Sequence, residues 1–328
     1  KRLVKNSIFH VKLFIFVIRN CVLRMLISIV IPVFNRAEMV KPTLESVRKQ
    51  THRPLQVVLV DNNSSDNTLQ VLHEFKVSNE TEGFRIDVVE ENTPGACAAR
   101  NAGAEVAVGE WIMFFDSDDT MDACLVAKYV EKIEKRQGNV DIVTTNVEMI
   151  KEGKSFSVNF AKKDFMVNHI FHSCLSTQRY IVRKSLFESA GRWNNDVKCW
   201  NDWELGMRLL LADPRIAVIE DGVYVHINVH EASITGNSYS ENHERRENAI
   251  SVAIDAVSKS DYLQKHRVLR LLRIRRFVLA GLYRKERNNS LAQEYYTKAY
   301  EGLNGDKLLC FLAPVVYRYV GCGGRGVD

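Results

Sequence analysis

Three carboxylates follow directly on an apolar run in the stretch WIMFFDSDDT, residues 111–120. Asp116, Asp118 and Asp119 are so close along the chain that their charges repel and lose solvation when partly buried. Asp116 and Asp118 are two positions apart, so in an extended segment their side chains point the same way. Mg²⁺ and Mn²⁺ prefer carboxylate oxygens, usually one or two together with substrate phosphates. The spacing therefore predicts a divalent-cation site, and the alternative is an acidic helix start, which we expect of Asp119.

A second acidic stretch, WNDWELGMRLL, places a carboxylate at the beginning of a predicted helix. Trp203, Met207 and Leu210 form an apolar stripe at helical spacing, and Asp202 lies just before it. A carboxylate in this position can serve as a general base. The alternative is an ordinary acid of a first helical turn, which the helix dipole favours.

Strand and helix patterns alternate from residue 26 onward and must position these acids. Apolar runs such as LISIVIPVF and LQVVLV are typical of strands buried on both faces, and helical patterns lie between them. This alternation predicts an α/β sandwich on a mostly parallel sheet. The clusters NRAE, DNNSSD, ENTPG and DSDD each follow one strand. Because ligands bind beyond the carboxyl ends of such strands, we expect the four clusters to share one edge.

The bulk composition allows a binding or catalytic protein of ordinary globular type. The chain has 328 residues, of which 46% are hydrophobic and 26% charged, and a net charge of +5. This mild positive excess suits anionic ligands or a membrane surface and does not require nucleic acid. The seven cysteines are scattered without a CxxC pair, which predicts neither a zinc site nor a disulfide framework and favours a reducing compartment.

Five stretches, in their order and spacing, resemble those of the family 2 glycosyltransferases with the GT-A fold. They are ISIVIPVFNRAE, VVLVDNNSSDNT, GACAARNAG, WIMFFDSDD and WNDWELGMR, within residues 26–240. The resemblance implies a GT-A type α/β/α sandwich and inverting transfer of a sugar from a UDP-sugar to an acceptor hydroxyl. It further implies Mn²⁺ or Mg²⁺ as cofactor, a saccharide or lipid-linked saccharide acceptor, and a role in surface polysaccharide or glycolipid synthesis, without nucleic acid.

The resemblance also implies roles for particular residues on the donor side. Asp118 would bind the metal together with His230, and Asp61 would accept the uracil N3–H. The nucleotide contacts would be Pro32, Phe34, Asn35, Asp61, Arg100 and Asp116. Four of these residues have a simpler alternative: Asp61 as a turn carboxylate, Phe34 as core, Arg100 in a surface ion pair and His230 as a structural histidine.

On the acceptor side, the resemblance makes Asp202 the general base. Inverting transfer needs only one base, whereas a retaining double displacement also needs a carboxylate nucleophile. The family usually has a Glu-Asp pair here, and in this chain Asn201 stands in place of the glutamate. This departure leaves Asp202 available as the base.

Two segments lie outside the resemblance. Residues 1–25 mix basic and apolar residues, and we expect an N-terminal extension upstream of a start at Met25, the alternative being a membrane anchor. Residues 241–328 read as helices after a catalytic domain at 26–240, which we divide into a nucleotide-binding half (26–149) and an acceptor half (150–240).

One of these C-terminal helices is basic and amphipathic. Leu271, Ile274, Val278 and Leu282 share one face of HRVLRLLRIRRFVLAGLYRK, and arginines surround them. Such a helix can lie on an anionic membrane, so we expect a cytoplasmic protein with peripheral membrane contact. The alternative is that the helix packs on the catalytic domain.

Two other functions compete with glycosyl transfer. The letters DSDDT fit a haloacid-dehalogenase-type phosphatase, with Asp116 as nucleophile and Asp118 as acid/base. That motif normally lies on the first strand, whereas three predicted strands precede it here. A non-catalytic nucleotide-sugar-binding scaffold is the third hypothesis, and the presence of Asp118 and Asp202 argues against it.

Overall fold

The computed structural model describes residues 25–160, 164–229, 238–303 and 305–323. Residues 1–24, predicted as an extension, and His230 lie outside the described residues. In the described part of the chain, no helix combines the length and apolarity needed to cross a bilayer.

The first half of the sheet is parallel. Its strands lie in the order β3-β2-β1-β4 and are β1 (Ile27–Val33), β2 (Leu55–Asp61), β3 (Phe84–Glu90) and β4 (Trp111–Phe114). The connecting helices are α1 (Val40–Arg48), α2 (Thr68–Asn79) and α3 (Ala96–Val106). Parallel pairing brings the carboxyl ends of these strands to one edge, as the sequence predicted.

The sheet is layered between helices on both faces. Along β1, Ile29 packs in a core with Leu44 of α1, whereas the next residue, Val30, packs in a second core with Ala99 of α3. This alternation follows from the period of two along a strand. Helix α3 lies directly on the sheet, because a Cβ at Gly103 would meet Val30 Cγ1 at 2.4 Å. The predicted α/β/α sandwich is confirmed.

The second half of the sheet is mixed. Beyond β4 the order is β8-β6-β9-β5, with β7 on β6, and β6–β9 is the one parallel pair among these described strands. The strands are β5 (Thr120–Met121), β6 (Ile142–Lys151), β7 (Lys154–Val158), β8 (Tyr180–Arg183) and β9 (Ile216–Asn228). The helices are α4 (Leu125–Lys135), α5 (Phe165–His172), a 3₁₀ turn (Thr177–Arg179), α6 (Lys184–Ser189) and α7 (Asn201–Leu211).

Four helices follow the sheet and share its second core. They are α8 (His243–Lys259), α9 (Lys265–Lys285), α10 (Asn289–Glu301) and α11 (Lys307–Gly321). Ile250 of α8 and Leu279 of α9 belong to the same buried cluster as Trp203 and Leu205 of α7. The C-terminal helices therefore complete the core around α7.

Helix α9 uses its predicted amphipathic face for this packing. Val278 and Leu282 are buried, and several arginines around them face acids rather than open solvent. The ion pairs are Arg267–Asp164, Arg270–Asp306 and Arg276–Glu247. For α9, the structure thus supports packing on the catalytic domain over a membrane-facing surface.

Candidate active site

The loop after β1 presents an exposed aromatic ring at the carboxyl edge of the sheet. Phe34 is 55% exposed, so the alternative that it is a core residue is wrong. Pro32, inside β1, pairs with Val60 of β2 and is partly buried. Asn35 has a left-handed backbone (φ 49°) and accepts the Ser65 N–H at 2.7 Å. These contacts hold the loops after β1 and β2 side by side, with the ring facing outward.

Asp61 ends β2 with one carboxylate oxygen left unsatisfied. Its Oδ2 accepts the Ser64 N–H at 3.1 Å, as the turn alternative predicted. Its Oδ1 is buried and has no hydrogen-bond partner among the described residues. A buried acceptor without a donor is costly, so the position is suited to an N–H supplied by a ligand.

Arg100, on α3, is buried beneath the same edge. Its Nη2 donates to Asp116 Oδ1 at 2.7 Å, and its guanidinium lies 4.4 Å from the centre of the Trp193 ring. Burial has the largest single effect and lowers the arginine pKa, but the charges of Asp116, Cys97 and Asp202 and the hydrogen bond to Asp116 together outweigh it, so the pKa is raised. Because Arg100 is 5% exposed, the predicted alternative of a surface ion pair is wrong.

Gln178, which the sequence did not single out, links two of the three clustered acids. Its Nε2 donates to Asp116 Oδ2 at 2.7 Å and also to Asp119 Oδ2. It lies in the 3₁₀ turn before β8, where neither charge nor periodicity marks it. Only the tertiary arrangement of β8 beside β4 brings it to the acids.

Asp119 is not a helix cap, contrary to the prediction. Helix α4 begins later, after Cys124, and Asp119 is buried, with its Oδ1 accepting the Asn228 N–H at 2.8 Å. Burial, followed by the charges of Asp116 and Asp118, raises its pKa to about 8. The residue joins the end of β9 to the loop after β4, which explains why an acid is kept inside.

Asp118 is the one predicted metal ligand that lies among the described residues, and it is partly accessible. Its side chain is 17% exposed, and its Oδ2 forms an ion pair with Arg36 Nη1 from the loop after β1. Among the described residues, no group of three or more acids, histidines or cysteines is arranged to hold a metal alone. A carboxylate ligand completed by substrate oxygens remains compatible with Mn²⁺ or Mg²⁺.

Asp202 lies on the second residue of α7 and faces Arg100. Burial raises the pKa of its carboxyl. The Trp203 N–H, which donates at 2.7 Å, the charge of Arg100 and a backbone hydrogen bond from Thr177 lower this pKa, whereas the charge of Asp116 raises it. Such a carboxylate holds a proton more readily than an exposed one. The buried stripe of Trp203, Met207 and Leu210 fixes its helix, as predicted.

Two groups of functional side chains lie on either side of Arg100. On one side lie a base-sized aromatic ring, an unsatisfied acceptor and clustered carboxylates, and on the other lies a single carboxylate of raised pKa. Phe34, Asn35, Asp61, Arg100, Asp116, Asp118 and Asp202 all lie at this edge, and His230 is outside the described residues. The set can bind a charged nucleotide and remove a proton from a hydroxyl.

Comparison with known proteins gives the same assignment. The profile of "Glycosyl transferase family 2" matches residues 28–187. Glycosyltransferase GlyG of Streptococcus pneumoniae serotype 4 is 31% identical over 220 residues, covering 61% of this chain and 70% of GlyG.

Two solved structures share the fold. Residues 1–349 of Staphylococcus aureus TarS, in complex with UDP-GlcNAc, superpose with a TM-score of 0.70 at 20% identity, covering 92% of this chain and 88% of that one. The mannosyltransferase PcManGT of Pyrobaculum calidifontis, with GDP-Man and Mn²⁺, gives 0.58 at 15% identity over 92% and 88%. The phosphatase and scaffold hypotheses find no support in these comparisons. With its motifs, fold and similarity to GlyG in agreement, the chain belongs to glycosyltransferase family 2.

Proposed function

We propose that the protein is an inverting glycosyltransferase that takes its sugar from a UDP-sugar, with residues 26–240 as the catalytic domain. The observation that carries the proposal is the unsatisfied, buried Oδ1 of Asp61 beside the exposed ring of Phe34. Uracil offers an N3–H to that oxygen and a planar face to that ring. The complex of TarS with UDP-GlcNAc is consistent with this donor class.

Around the diphosphate and sugar, we assign the remaining donor contacts to Pro32, Asn35, Arg100 and Asp116. Arg100 is a buried cation held by Asp116, and a planar guanidinium suits phosphate oxygens. Asp116 keeps both carboxylate oxygens engaged, by Arg100 and by Gln178, so its orientation is fixed before the donor binds. A preorganised carboxylate of this kind can accept hydrogen bonds from ribose or sugar hydroxyls.

A divalent cation is proposed at Asp118, with His230 as a second ligand. The charge at the cluster supports it, because Asp116, Asp118 and Asp119 lie together, and burial followed by the charges of Asp116 and Asp118 raises the pKa of Asp119. A bound cation would neutralise negative charge on the leaving diphosphate. Arg36 would then release Asp118 and remain beside the phosphates as a second positive group.

On the acceptor side, we assign the general base to Asp202. The raised pKa of Asp202 improves its ability to accept a hydroxyl proton. The positive charge of Arg100 stabilises the ionised form of Asp202. A single carboxylate in this role fits inversion. The acceptor is proposed to be a saccharide or a lipid-linked saccharide.

A donor panel tests this assignment. UDP-, GDP- and ADP-sugars are added to the full chain with Mn²⁺, and protection against heat is measured for the wild type and Asp61→Asn. We expect protection by UDP-sugars alone, and its loss in Asp61→Asn with an unchanged melting temperature of the free protein. Protection by GDP-sugars, or undiminished UDP protection in Asp61→Asn, would contradict the proposal.

We also propose a membrane-facing surface in the tail, on α11 rather than on α9. Four apolar or aromatic side chains lie on one exposed stripe of α11: Leu308 (56% exposed), Phe311 (73%), Val315 (56%) and Tyr319 (53%). The same helix bears Lys307 and Arg318 and no acid. An apolar stripe beside positive charge complements anionic lipid headgroups, and we propose that α11 lies on the cytoplasmic face of such a membrane.

Vesicle sedimentation of the full chain tests this surface. We expect salt-sensitive pelleting with anionic vesicles and little with neutral ones, abolished in Phe311→Ser/Val315→Ser. Leu263→Ser, which changes a residue that is 98% exposed elsewhere, is the matched control and should pellet normally. Absence of pelleting, or a dimer that dissociates in the double variant, would show that α11 meets protein instead.

A further inference from the structure

The residue before the base helix is held in an uncommon backbone conformation. Trp200 has φ 57° and ψ 33°, in the left-handed region, and α7 starts at the next residue with Asp202 in its first turn. Bulky residues adopt this conformation only when the surrounding structure fixes them. The direction in which Asp202 leaves the chain therefore depends on what holds the indole of Trp200.

Two buried arginines from the C-terminal helices contact the indole of Trp200. The guanidinium of Arg275, on α9, lies 4.9 Å from the ring centre of Trp200, and that of Arg246, on α8, lies 5.7 Å away. Arg275 is 4% exposed and Arg246 is 3% exposed. Because burying a guanidinium is costly, two of them around one ring indicate a specific task.

Each arginine also bonds to backbone of another part of the acceptor half. Arg275 Nη1 donates to the Phe171 carbonyl at the end of α5, at 3.4 Å. Arg246 Nη1 donates to the carbonyls of Ser238, at 3.2 Å, and of Tyr239. The Trp200 ring is thus held against fixed backbone.

Residues 238–240 are also bound to the C-terminal end of α9. The N–H groups of Tyr239 and Ser240 donate to the carboxylate of Glu286, at 2.6 and 2.9 Å. Arg246 and Glu286 therefore fix residues 238–240 between α8 and α9. The C-terminal helices hold both the entry to the base helix and the segment that leads into α8.

We propose that Arg275 and Arg246 are positioning residues for the transfer step: they clamp Trp200 and thereby orient Asp202 toward the acceptor. This inference rests on the proposed role of Asp202 as the base. It makes the C-terminal helices part of the catalytic apparatus, although they contribute no group to the donor site. We call Arg275, Arg246 and Trp200 the clamp. Donor binding should not depend on the clamp, whereas proton removal from the acceptor should depend on it.

A double-mutant cycle in the full chain tests the clamp. Arg275→Met and Trp200→Gly are each expected to lower kcat about 10-fold or more, while the Kd for UDP changes by less than about twofold. Because both act through one contact, the double variant should be no worse than about twofold below the poorer single variant. Arg275→Lys keeps the positive charge but lacks the planar guanidinium, so its kcat should lie between those of the wild type and Arg275→Met.

The pH dependence gives a readout that a merely structural role would not move. The acidic limb of kcat/KM reports the base in the free enzyme. Burial raises the pKa of Asp202, so a loosened helix start should expose the carboxyl and shift this limb to lower pH in Arg275→Met. Arg267→Met, which changes an exposed arginine of the same helix, should leave kcat and the limb unchanged.

The outcomes separate the inference from the function on which it rests. If Asp202→Asn keeps its kcat, the proposed base is wrong. If Asp202→Asn is inactive but Arg275→Met is normal, the clamp is wrong. Additive losses in the cycle, or equal losses of kcat and UDP affinity in both Arg275→Met and Arg275→Lys, would also overturn it.

Discussion

The two halves of the site are built in different ways. On the donor side, the assigned residues lie at the ends of β1 and β2, in the loops after β1 and β4, and on α3, and the side chains of Phe34 and Asp118 are accessible. On the acceptor side, Asp202 is held through Trp200 by arginines more than 40 positions further along the chain. Donor-side chemistry is therefore separable from the core, whereas acceptor-side chemistry is coupled to it.

The largest expected effect is at Asp118. Asp118→Asn should lower transfer at least roughly 10²- to 10³-fold, the loss typical of one charge-stabilising group, and should remove the Mn²⁺ dependence of UDP binding. Its melting temperature should stay near that of the wild type, because the side chain lies at the rim. Calorimetry of UDP with and without Mn²⁺ measures this, with Glu38→Gln in the loop after β1 as control. Metal-dependent UDP binding retained in Asp118→Asn would contradict the assignment of Asp118 as a metal ligand.

The sequence predicted the donor half well because local patterns determine it. The strands, the shared edge and the positions of Asp61 and Asp116 follow from apolar runs that end in polar residues. The acid partners of Arg36 and Arg100 were not predictable, since each pair joins different elements. The contact of Gln178 with Asp119 and the burial of Asp119 depend on the antiparallel strand pairing in the second half of the sheet. No local sequence pattern predicted that pairing.

Two glycines allow close packing, one in each half of the site. A Cβ at Gly103 would meet Val30 Cγ1 at 2.4 Å, and one at Gly206 would meet His169 Nε2 at 2.3 Å. Gly103→Ala and Gly206→Ala should each lower the free energy of unfolding by about 1–3 kcal/mol, the usual cost of overpacking. Gly302→Ala, with ordinary contacts of 3.5 Å, should be neutral in the same urea titrations.

The kinetic consequences of the two glycine changes should differ. Gly103→Ala should weaken UDP-sugar binding through α3 and Arg100, whereas Gly206→Ala should lower kcat through α7 and Asp202. Identical kinetic defects in the two variants would show that the halves are not separable.

A loss of stability of similar size is expected at acid pH. Burial lowers the pKa of His169 to about 4, and its Nε2 lies 2.8 Å from the Trp203 carbonyl beneath α7. Since the unfolded imidazole titrates near pH 6.5, the unfolded state binds more protons as pH falls below that value. The contribution of His169 to the free energy of unfolding is present above pH 6.5 and is lost toward pH 4. The loss is about 2 kcal/mol between pH 7 and pH 5.

Urea unfolding at pH 7 and pH 5 measures this loss. His169→Gln should show a smaller difference between the two pH values than the wild type. The same difference in both proteins would assign the acid sensitivity to other groups.

The most direct test of the whole account is Asp202→Asn, measured for transfer and for donor binding in one preparation. We predict that kcat falls at least roughly 10²-fold, the low end for loss of a general base, while the Kd for UDP and the melting temperature stay near the wild-type values. Retained turnover, or a collapse of UDP affinity with turnover per bound donor unchanged, would contradict the assignment of Asp202 as the base.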